Sequence, residues 1–200
     1  MTNRPIVLGW LALHLLGGAV AGLLEAEFQF LGTLVLAGLP IAVVQWLYLR
    51  HRRGRAIPWA LAFALGWPVA HLCYTLLPAW YTPLIRMAST YTALWEVFWI
   101  NLFRLATVLL IISLVQWLVA LRRQRNGWYW IPAGTLGGAL LGAVGATVCR
   151  YGCDVINVAA GPSVVGVVLG ALGWGAYATV TGPILAQLLT SSTPNPPSSL

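Results

Sequence analysis

The chain has 200 residues, of which 60% are hydrophobic and 8% are charged, and its formal net charge is +7. Because an average soluble domain has roughly 25% charged residues, this composition excludes a water-soluble globular protein and indicates an integral membrane protein. The basic residues, all of them arginine, cluster mainly in two short loops between apolar stretches, so the positive charge does not indicate a nucleic-acid partner.

Six stretches are apolar over the length of about 20 residues that an α-helix needs to cross roughly 30 Å of hydrocarbon. They predict an all-α protein with one six-helix transmembrane domain over residues 1–190 and with spans at 6–24, 28–49, 58–77, 100–121, 131–149 and 164–189. Residues 78–99, rich in Trp, Tyr and Thr, are expected to lie in the headgroup layer. The proline- and serine-rich tail, 191–200, is expected to be disordered.

The first and third spans share the pattern Leu-Gly-Trp-x-x-x-His-Leu, which places His14 and His71 at the same point of each helix. The first span also has the short apolar run and small residues of a secretory leader. A discarded leader would have no reason to copy a membrane helix. We therefore interpret the first span as a retained transmembrane helix.

The second and fourth spans share the triplet Gln-Trp-Leu, which begins at Gln45 and recurs 71 residues later at Gln116, and one further step leads to Gln187 in the sixth span. Self-similarity at a fixed period indicates a repeat architecture. We predict three helical hairpins, circularly permuted so that the first span closes against the sixth. The hairpins enter the membrane with the same polarity, as parallel repeats about an axis near the membrane normal.

The placement of arginines predicts the orientation, because cytoplasmic loops carry an excess of basic residues. In a six-span arrangement three arginines fall on one side, Arg86, Arg104 and Arg150, and eight fall on the other, Arg4, Arg50, Arg52, Arg53, Arg55, Arg122, Arg123 and Arg125. Both termini are therefore expected in the cytoplasm. Each loop arginine is expected to attract anionic lipid headgroups by about 1 kcal/mol.

The Gln-Trp-Leu triplet, the arginine loop after it and the Trp-rich start of the next helix resemble a group of uncharacterised multi-pass membrane proteins of cyanobacteria and Chloroflexi-type bacteria. The resemblance covers mainly 43–66, 114–137 and the Gly-rich last helix. It implies a membrane-embedded helical bundle and no particular chemistry. The absence of lysine is a feature of GC-rich bacterial genes, and a bacterial plasma (inner) membrane is the expected location.

Polar and aromatic residues near the cytoplasmic ends of the spans have structural interpretations. The three glutamines are expected to bond neighbouring helices, each bond contributing about 0.6 to 2 kcal/mol, with a functional ring of amides as the alternative. Trp46 and Trp117, like Trp59 and Trp130, are expected to be interfacial anchors. Small residues at four-residue spacing let helix backbones approach closely and predict packing seams, which include Gly18, Gly22, Gly138, Gly142, Gly166 and Gly170.

His14 and His71 are the candidate cofactor-binding residues, and by the repeat they share a depth near the midplane. An intramembrane imidazole can ligate haem iron or the magnesium of a chlorophyll-type tetrapyrrole, or relay a proton. The alternative is that each histidine is packed and bonds a group on a neighbouring helix. No metal site is predicted, because Cys149 and Cys153 have no further ligands nearby in the sequence, although a disulfide between them is geometrically conceivable.

Arg104 lies about one turn inside the fourth span. A long side chain at this depth can extend to the membrane boundary, and we expect Arg104 to do so. The alternative is a charge pair with Glu25, Glu27 or Asp154.

No catalytic motif is recognisable, because the four carboxylates are scattered singly and no nucleophile–base or metal motif appears. The sequence therefore predicts a noncatalytic membrane protein without a cofactor, an accessory, structural or assembly component that packs with other membrane subunits. Two alternatives remain open: a tetrapyrrole- or metal-binding protein that uses the two histidines, and a small-solute transporter or channel.

Overall fold

The computed structural model describes residues 3–52, 56–76, 78–92 and 94–191. Over these residues the chain is helical, which confirms the predicted all-α class. Short π-helical and 3-10 segments at Gly32–Leu36, Trp117–Leu121 and Gly127–Tyr129 accompany the α-helices. The α-helices are α1 (Arg4–Leu31), α2 (Gly38–Leu49), α3 (Ala56–Leu76), α4 (Pro78–Thr92), α5 (Glu96–Gln116), α6 (Trp130–Ala160) and α7 (Pro162–Thr190).

The helices that are long and apolar enough to cross a membrane make the chain a helical membrane protein. Among the described residues five segments qualify: Arg4–Leu36, Ala56–Leu76, Glu96–Leu121, Gly127–Ala160 and Pro162–Thr190. α2 is apolar but has only 12 residues, about 18 Å of helix, which is shorter than the hydrocarbon layer. Helix α2 and the π-helical segment before it together occupy most of the second predicted span.

The chain reverses direction at Gln29, whose φ of 48° and ψ of −120° interrupt the otherwise helical α1. A Cβ on Gly32 would meet the backbone of Leu24, whereas residues eight apart in a straight helix are separated by about 12 Å. Closer to the N-terminus, a Cβ on Gly9 would lie 3.0 Å from the Tyr48 ring. The segment before Gln29 and the segment that ends with α2 are therefore an antiparallel hairpin.

Six of the described helices form a closed circle. Apart from α4, each packs against the next helix along the chain, and the last packs against the first. α1 contacts α2, α2 contacts α3, α3 contacts α5, α5 contacts α6, α6 contacts α7, and α7 returns to α1. α4 lies outside this circle and packs along α5. The interior of the circle is occupied by aromatic and aliphatic side chains, which include Phe63, Trp67, Leu109, Ile112, Trp174 and Tyr177.

Two interfaces of the circle are glycine seams. Between α1 and α7, a Cβ on Gly18 or Gly22 would meet the carbonyl oxygen of Gly170 or Gly166. Between α6 and α5, a Cβ on Gly142 would lie 2.6 Å from the carbonyl carbon of Asn101. The backbones of these helices therefore touch directly, and any side chain at these positions would force them apart.

At one helix–helix contact, the pair α2–α3 and the pair α5–α6 place a glycine and a large residue on opposite helices. A Cβ on Gly38 of α2 would lie 2.6 Å from the Trp67 Cβ of α3. The same 71-residue step leads to Leu109 of α5 and Gly138 of α6, where a Cβ on the glycine would lie 2.7 Å from the Leu109 Cβ. In the first pair the large residue, Trp67, is on the second helix, α3. In the second pair the large residue, Leu109, is on the first helix, α5, so glycine and large residue have exchanged places.

The predicted limits of the fifth and sixth spans leave 150–163 as a loop, and this prediction is wrong. α6 continues to Ala160, and the turn into α7 consists of Gly161, with φ of 88°, followed by Pro162. The charges of Arg150 and Asp154 end the apolar run but do not end the helix, whereas Gly-Pro breaks it. α5 likewise begins at Glu96, before the predicted boundary, so Arg104 lies about two turns inside the helix.

Candidate functional site

Four fully buried side chains form a hydrogen-bonded network between α2, α3, α5 and α6. Trp59 Nε1 donates to Gln45 Oε1 at 2.8 Å, and Trp130 Nε1 donates to Gln116 Oε1 at 2.9 Å. Gln116 Nε2 donates to Gln45 Oε1 at 3.1 Å and so joins the two pairs. We call these four residues the amide–indole network. It connects four helices through bonds that water does not reach.

The amide–indole network extends to α1 through His14. Gln45 Nε2 lies 3.3 Å from His14 Nε2, and His14 Nδ1 lies 2.9 Å from the Trp10 carbonyl oxygen. A carbonyl can only accept, which assigns the proton to Nδ1 and makes Nε2 the acceptor from the glutamine amide. Both ring nitrogens of His14 are therefore bonded to protein groups, and neither is left to ligate iron or magnesium.

The structure joins two of the three repeated glutamines, Gln45 and Gln116, and separates Gln187 from them. Gln187 is exposed and lies outside the amide–indole network. Trp59 and Trp130 have no exposed surface, so their prediction as interfacial anchors is wrong, because their indole N–H groups have glutamine acceptors in the interior. Trp46 and Trp117 are half-buried, and the Arg50 guanidinium lies 5.2 Å from the centre of the Trp46 ring.

A cavity of about 580 Å³ lies between α1, α3, α5, α6 and α7. Its wall includes Glu25, which is close to the Gln29 reversal, and Asp154, which is in the last part of α6. A smaller cavity of about 430 Å³ adjoins it and shares these two carboxylates. We call the larger volume the outer cavity. The name denotes the end of the bundle opposite the amide–indole network. Its polar lining is formed by Glu25, His71, Asn101, Arg104, Arg150 and Asp154.

An arginine–histidine pair lies in the wall of the outer cavity. Arg104 Nη2 donates to His71 Nδ1 at 3.1 Å. A guanidinium cannot accept a hydrogen bond, so Nδ1 is the acceptor and the imidazole proton is on Nε2. His71 is 1% exposed, and its Nε2 has no hydrogen-bond partner among the described residues. The pair therefore presents an unused donor beside a positive charge.

The Arg104 side chain bonds a histidine that the sequence did not predict as its partner. Its guanidinium is turned toward His71, inside the bundle. Glu25 lines the same cavity from α1 and has the opposite charge. The physical reason for the inward conformation is that α3 supplies a buried acceptor and α1 a nearby opposite charge.

Aromatic side chains form much of the rest of the wall. Trp67 and Trp174 line the outer cavity with their ring centres 5.7 Å apart, and Trp95 lines it as well. Trp67 Nε1 donates to the Thr33 carbonyl oxygen at 2.8 Å, so its indole is held in place. The outer cavity thus combines flat apolar walls with charged groups of both signs, the features of a site for a small amphipathic molecule.

The two candidate histidines do not converge on one ligand. In both, the ring packs on the tryptophan four residues earlier, with ring centres 4.1 Å apart for His14 and Trp10 and 4.6 Å apart for His71 and Trp67. His14 belongs to the amide–indole network and His71 to the outer cavity. Within the described ranges no group of three or more His, Cys, Asp or Glu side chains is placed to hold a metal ion.

Two of the three cysteines line the cavities. Cys149 and Cys153 form a disulfide within α6, and Cys73 is a free thiol that is partly exposed. Cys149 lines the outer cavity and Cys153 the smaller one. The cysteine pair that the sequence placed at the start of a loop is therefore part of a helical wall.

Sequence reasoning placed Glu25 in a loop and named it only as one of three possible partners of Arg104. The missed signal is spacing, because Gly18, Gly22 and Glu25 recur at intervals of four and three residues and so share one helical face. Asn101 and Arg104 share a face of α5 in the same way. Glycine seams indicate which faces point into the bundle, and charged residues on those faces are candidates for a binding site.

Comparisons of the chain with protein families, with curated proteins and with solved structures give no match. The class of protein is therefore defined by the fold and by the site: a helical membrane protein with a charged, aromatic-walled cavity inside its bundle.

Proposed function

We propose that this protein is a noncatalytic, six-span plasma-membrane protein that binds a small amphipathic solute in the outer cavity. The observation that carries the proposal is the Arg104–His71 pair in the cavity wall. Charged residues inside membrane spans are costly, and they commonly mark ligand or solute pathways. A bundle that only packs against other subunits has no use for this pair beside an open volume.

The six-span arrangement places both termini in the cytoplasm. It is supported by the hairpin that reverses at Gln29 and by Tyr48, whose hydroxyl donates to the Ile6 carbonyl oxygen. Arg52 lies 4.2 Å from the centre of the Tyr48 ring, so the N-terminal end of α1 and the first arginine loop are at the same end. In this arrangement the arginine loops contact anionic headgroups of the inner leaflet.

A reporter fused after Leu200 tests this topology. We expect a cytoplasm-only reporter to be active there and a periplasm-only reporter to be inactive, because the positive loops remain on the cytoplasmic side. The same reporters inserted after Gly161, between α6 and α7, should give the reverse pattern. Periplasmic activity after Leu200 would contradict the six-span arrangement.

The pseudo-repeat is supported by the amide–indole network. The bond from Trp59 to Gln45 and the bond from Trp130 to Gln116 join the same residue types at the same separation, displaced by 71 residues. The contact between α7 and α1 completes the circle. In this proposal three related hairpins form a scaffold, and the outer cavity is where their different side chains meet.

Ligand-induced stabilisation tests the binding function. We expect the purified protein to be stabilised by one or more solutes from a panel of short-chain acids, amines, alcohols and amino acids. At a concentration 100 times the Kd, binding adds about 2.7 kcal/mol, which raises the Tm by about 5 to 10 °C for a chain of this size. The Arg104→Gln variant should lose this rise. No rise with any solute, or an equal rise in the variant, would contradict the proposal.

A second candidate function is an accessory subunit that packs with other membrane proteins. It is favoured by the glycine seams and by the amide–indole network, which together produce a rigid bundle. Tetrapyrrole binding is less well supported, because protein groups bond both ring nitrogens of His14. An absorption spectrum of the purified protein distinguishes that alternative at once.

A further inference from the structure

We propose, on the basis of the binding function above, that the outer cavity binds a small zwitterion. Its anionic group, a carboxylate or phosphate, is held by Arg104 and His71, and its ammonium group faces Glu25. Both a free amino acid and a zwitterionic lipid headgroup have this chemistry. The zwitterion is identified by the arrangement of the two charges in the wall of the cavity.

The anionic end is recognised by two donors with different geometry. Arg104 uses one guanidinium nitrogen on His71, and a guanidinium has five N–H groups, which leaves others for an oxyanion. His71 Nε2 is a second donor, buried and without a partner among the described side chains. Charge-assisted bonds to a carboxylate or phosphate satisfy both groups at once.

The cationic end is recognised by Glu25 and by the aromatic walls. Glu25 lines both cavities, on α1, while Arg104 and His71 are on α5 and α3. The two opposite charges therefore face the volume from different helices. Trp67 and Trp174 line the same volume, and aromatic faces attract ammonium groups.

The balance of charge in the cavity wall favours a ligand with no net charge. The inner part of the wall has one positive group, Arg104, and one negative group, Glu25. The remaining pair, Arg150 and Asp154, is exposed at the rim of the cavity and is four residues apart on α6. A purely anionic ligand would pair with Arg104 and leave the half-buried Glu25 carboxylate in the same wall without a partner. A zwitterion pairs with both groups.

Three compounds with the same side chain and different net charge test the proposal with the full-length protein. L-leucine is zwitterionic, N-acetyl-L-leucine is anionic, and L-leucine methyl ester is cationic. We expect L-leucine to bind at least tenfold more tightly than either derivative, as measured by calorimetry and by a change in tryptophan fluorescence. A second arm compares nanodiscs that contain phosphatidylethanolamine with nanodiscs that contain phosphatidylglycerol, in order to distinguish a lipid headgroup from a free solute.

Variants assign the two ends of the ligand. Arg104→Gln should weaken L-leucine binding at least tenfold. Glu25→Gln should remove the preference for L-leucine over N-acetyl-L-leucine, which a merely structural role of Glu25 would not do. Arg86→Gln and Glu27→Gln are matched controls, because both residues are exposed and neither is part of the cavity lining, and they should leave binding unchanged. Circular dichroism establishes that each variant is folded.

Each outcome has a definite meaning. If only phosphatidylethanolamine stabilises the wild type, and Glu25→Gln and Arg104→Gln abolish the effect, the zwitterion is a lipid headgroup. If N-acetyl-L-leucine binds as tightly as L-leucine in the wild type, the zwitterion proposal is wrong while the binding function stands. If neither a leucine compound nor phosphatidylethanolamine binds, the zwitterion proposal is wrong, and the solute panel described above then decides the binding function separately.

Discussion

Replacing Gly138 by leucine is expected to lower the free energy of unfolding by about 3 kcal/mol. A Cβ at this position would meet the Leu105 carbonyl oxygen and would lie 2.7 Å from the Leu109 Cβ, both on α5. Backbone atoms cannot rotate away as a flexible side chain can, so α5 and α6 must separate along their length. Denaturation in detergent, followed by circular dichroism, measures the loss.

Gly145→Leu is the matched control on the same helix. No atom lies within 4 Å of a Cβ built at Gly145, so the added side chain enters open space. Its effect should stay within about 0.5 kcal/mol. Leucine is a better helix former than glycine, so helix propensity gives no loss at either position. Equal losses at Gly138 and Gly145 would therefore show that the close approach of α5 is not the cause.

Replacing Gln45 by leucine is expected to cost about 3 to 5 kcal/mol. Gln45 accepts from Trp59 and from Gln116, and its amide lies 3.3 Å from His14 Nε2. Intramembrane bonds average about 0.6 kcal/mol in double-mutant cycles, so three lost bonds alone would cost about 2. The additional cost arises because the Trp59 indole N–H is left buried without an acceptor, which is worth about 1 to 3 kcal/mol.

Gln187→Leu is the control for Gln45→Leu, because it changes the same residue type at the third position of the repeat. Gln187 is exposed, and its replacement should change stability by less than about 0.5 kcal/mol. Chemical denaturation of the two variants in the same detergent gives the comparison. A loss at Gln187 as large as that at Gln45 would mean that the network is not the source of stability.

Composition and apolar run length were sufficient to predict a helical membrane protein, because lipid requires every backbone polar group to be bonded within a helix. Boundaries were less predictable. Hydropathy treats Glu25, Arg150 and Asp154 as signs of a loop, yet helices continue through all three. A charged residue ends an apolar window for reasons of solvation, whereas a helix ends where backbone geometry changes, as at Gln29 and Gly161.

The candidate site was predictable only in part. His14, His71, Gln45 and Gln116 were recognisable because polar groups in apolar helices need partners. Which partner each one has depends on how the helices are rotated and shifted against one another, and a single sequence contains little information on this. The repeat suggested that the two histidines share an environment. They diverge because α2 offers a glutamine to one, whereas α5 offers Arg104 to the other.

The opposite placement of glycine in the pairs Gly38–Trp67 and Gly138–Leu109 makes each hairpin a poor substitute for the other. If Gly38 faced Gly138, a void would remain, and if Trp67 faced Leu109, the side chains would overlap. Exchange of helices between two copies of the chain, or between hairpins during insertion, is therefore disfavoured despite their similar sequences. To exchange the glycine and the large residue within either pair, two substitutions are needed together. Single substitutions therefore do not readily make the two helix pairs identical in sequence at this contact.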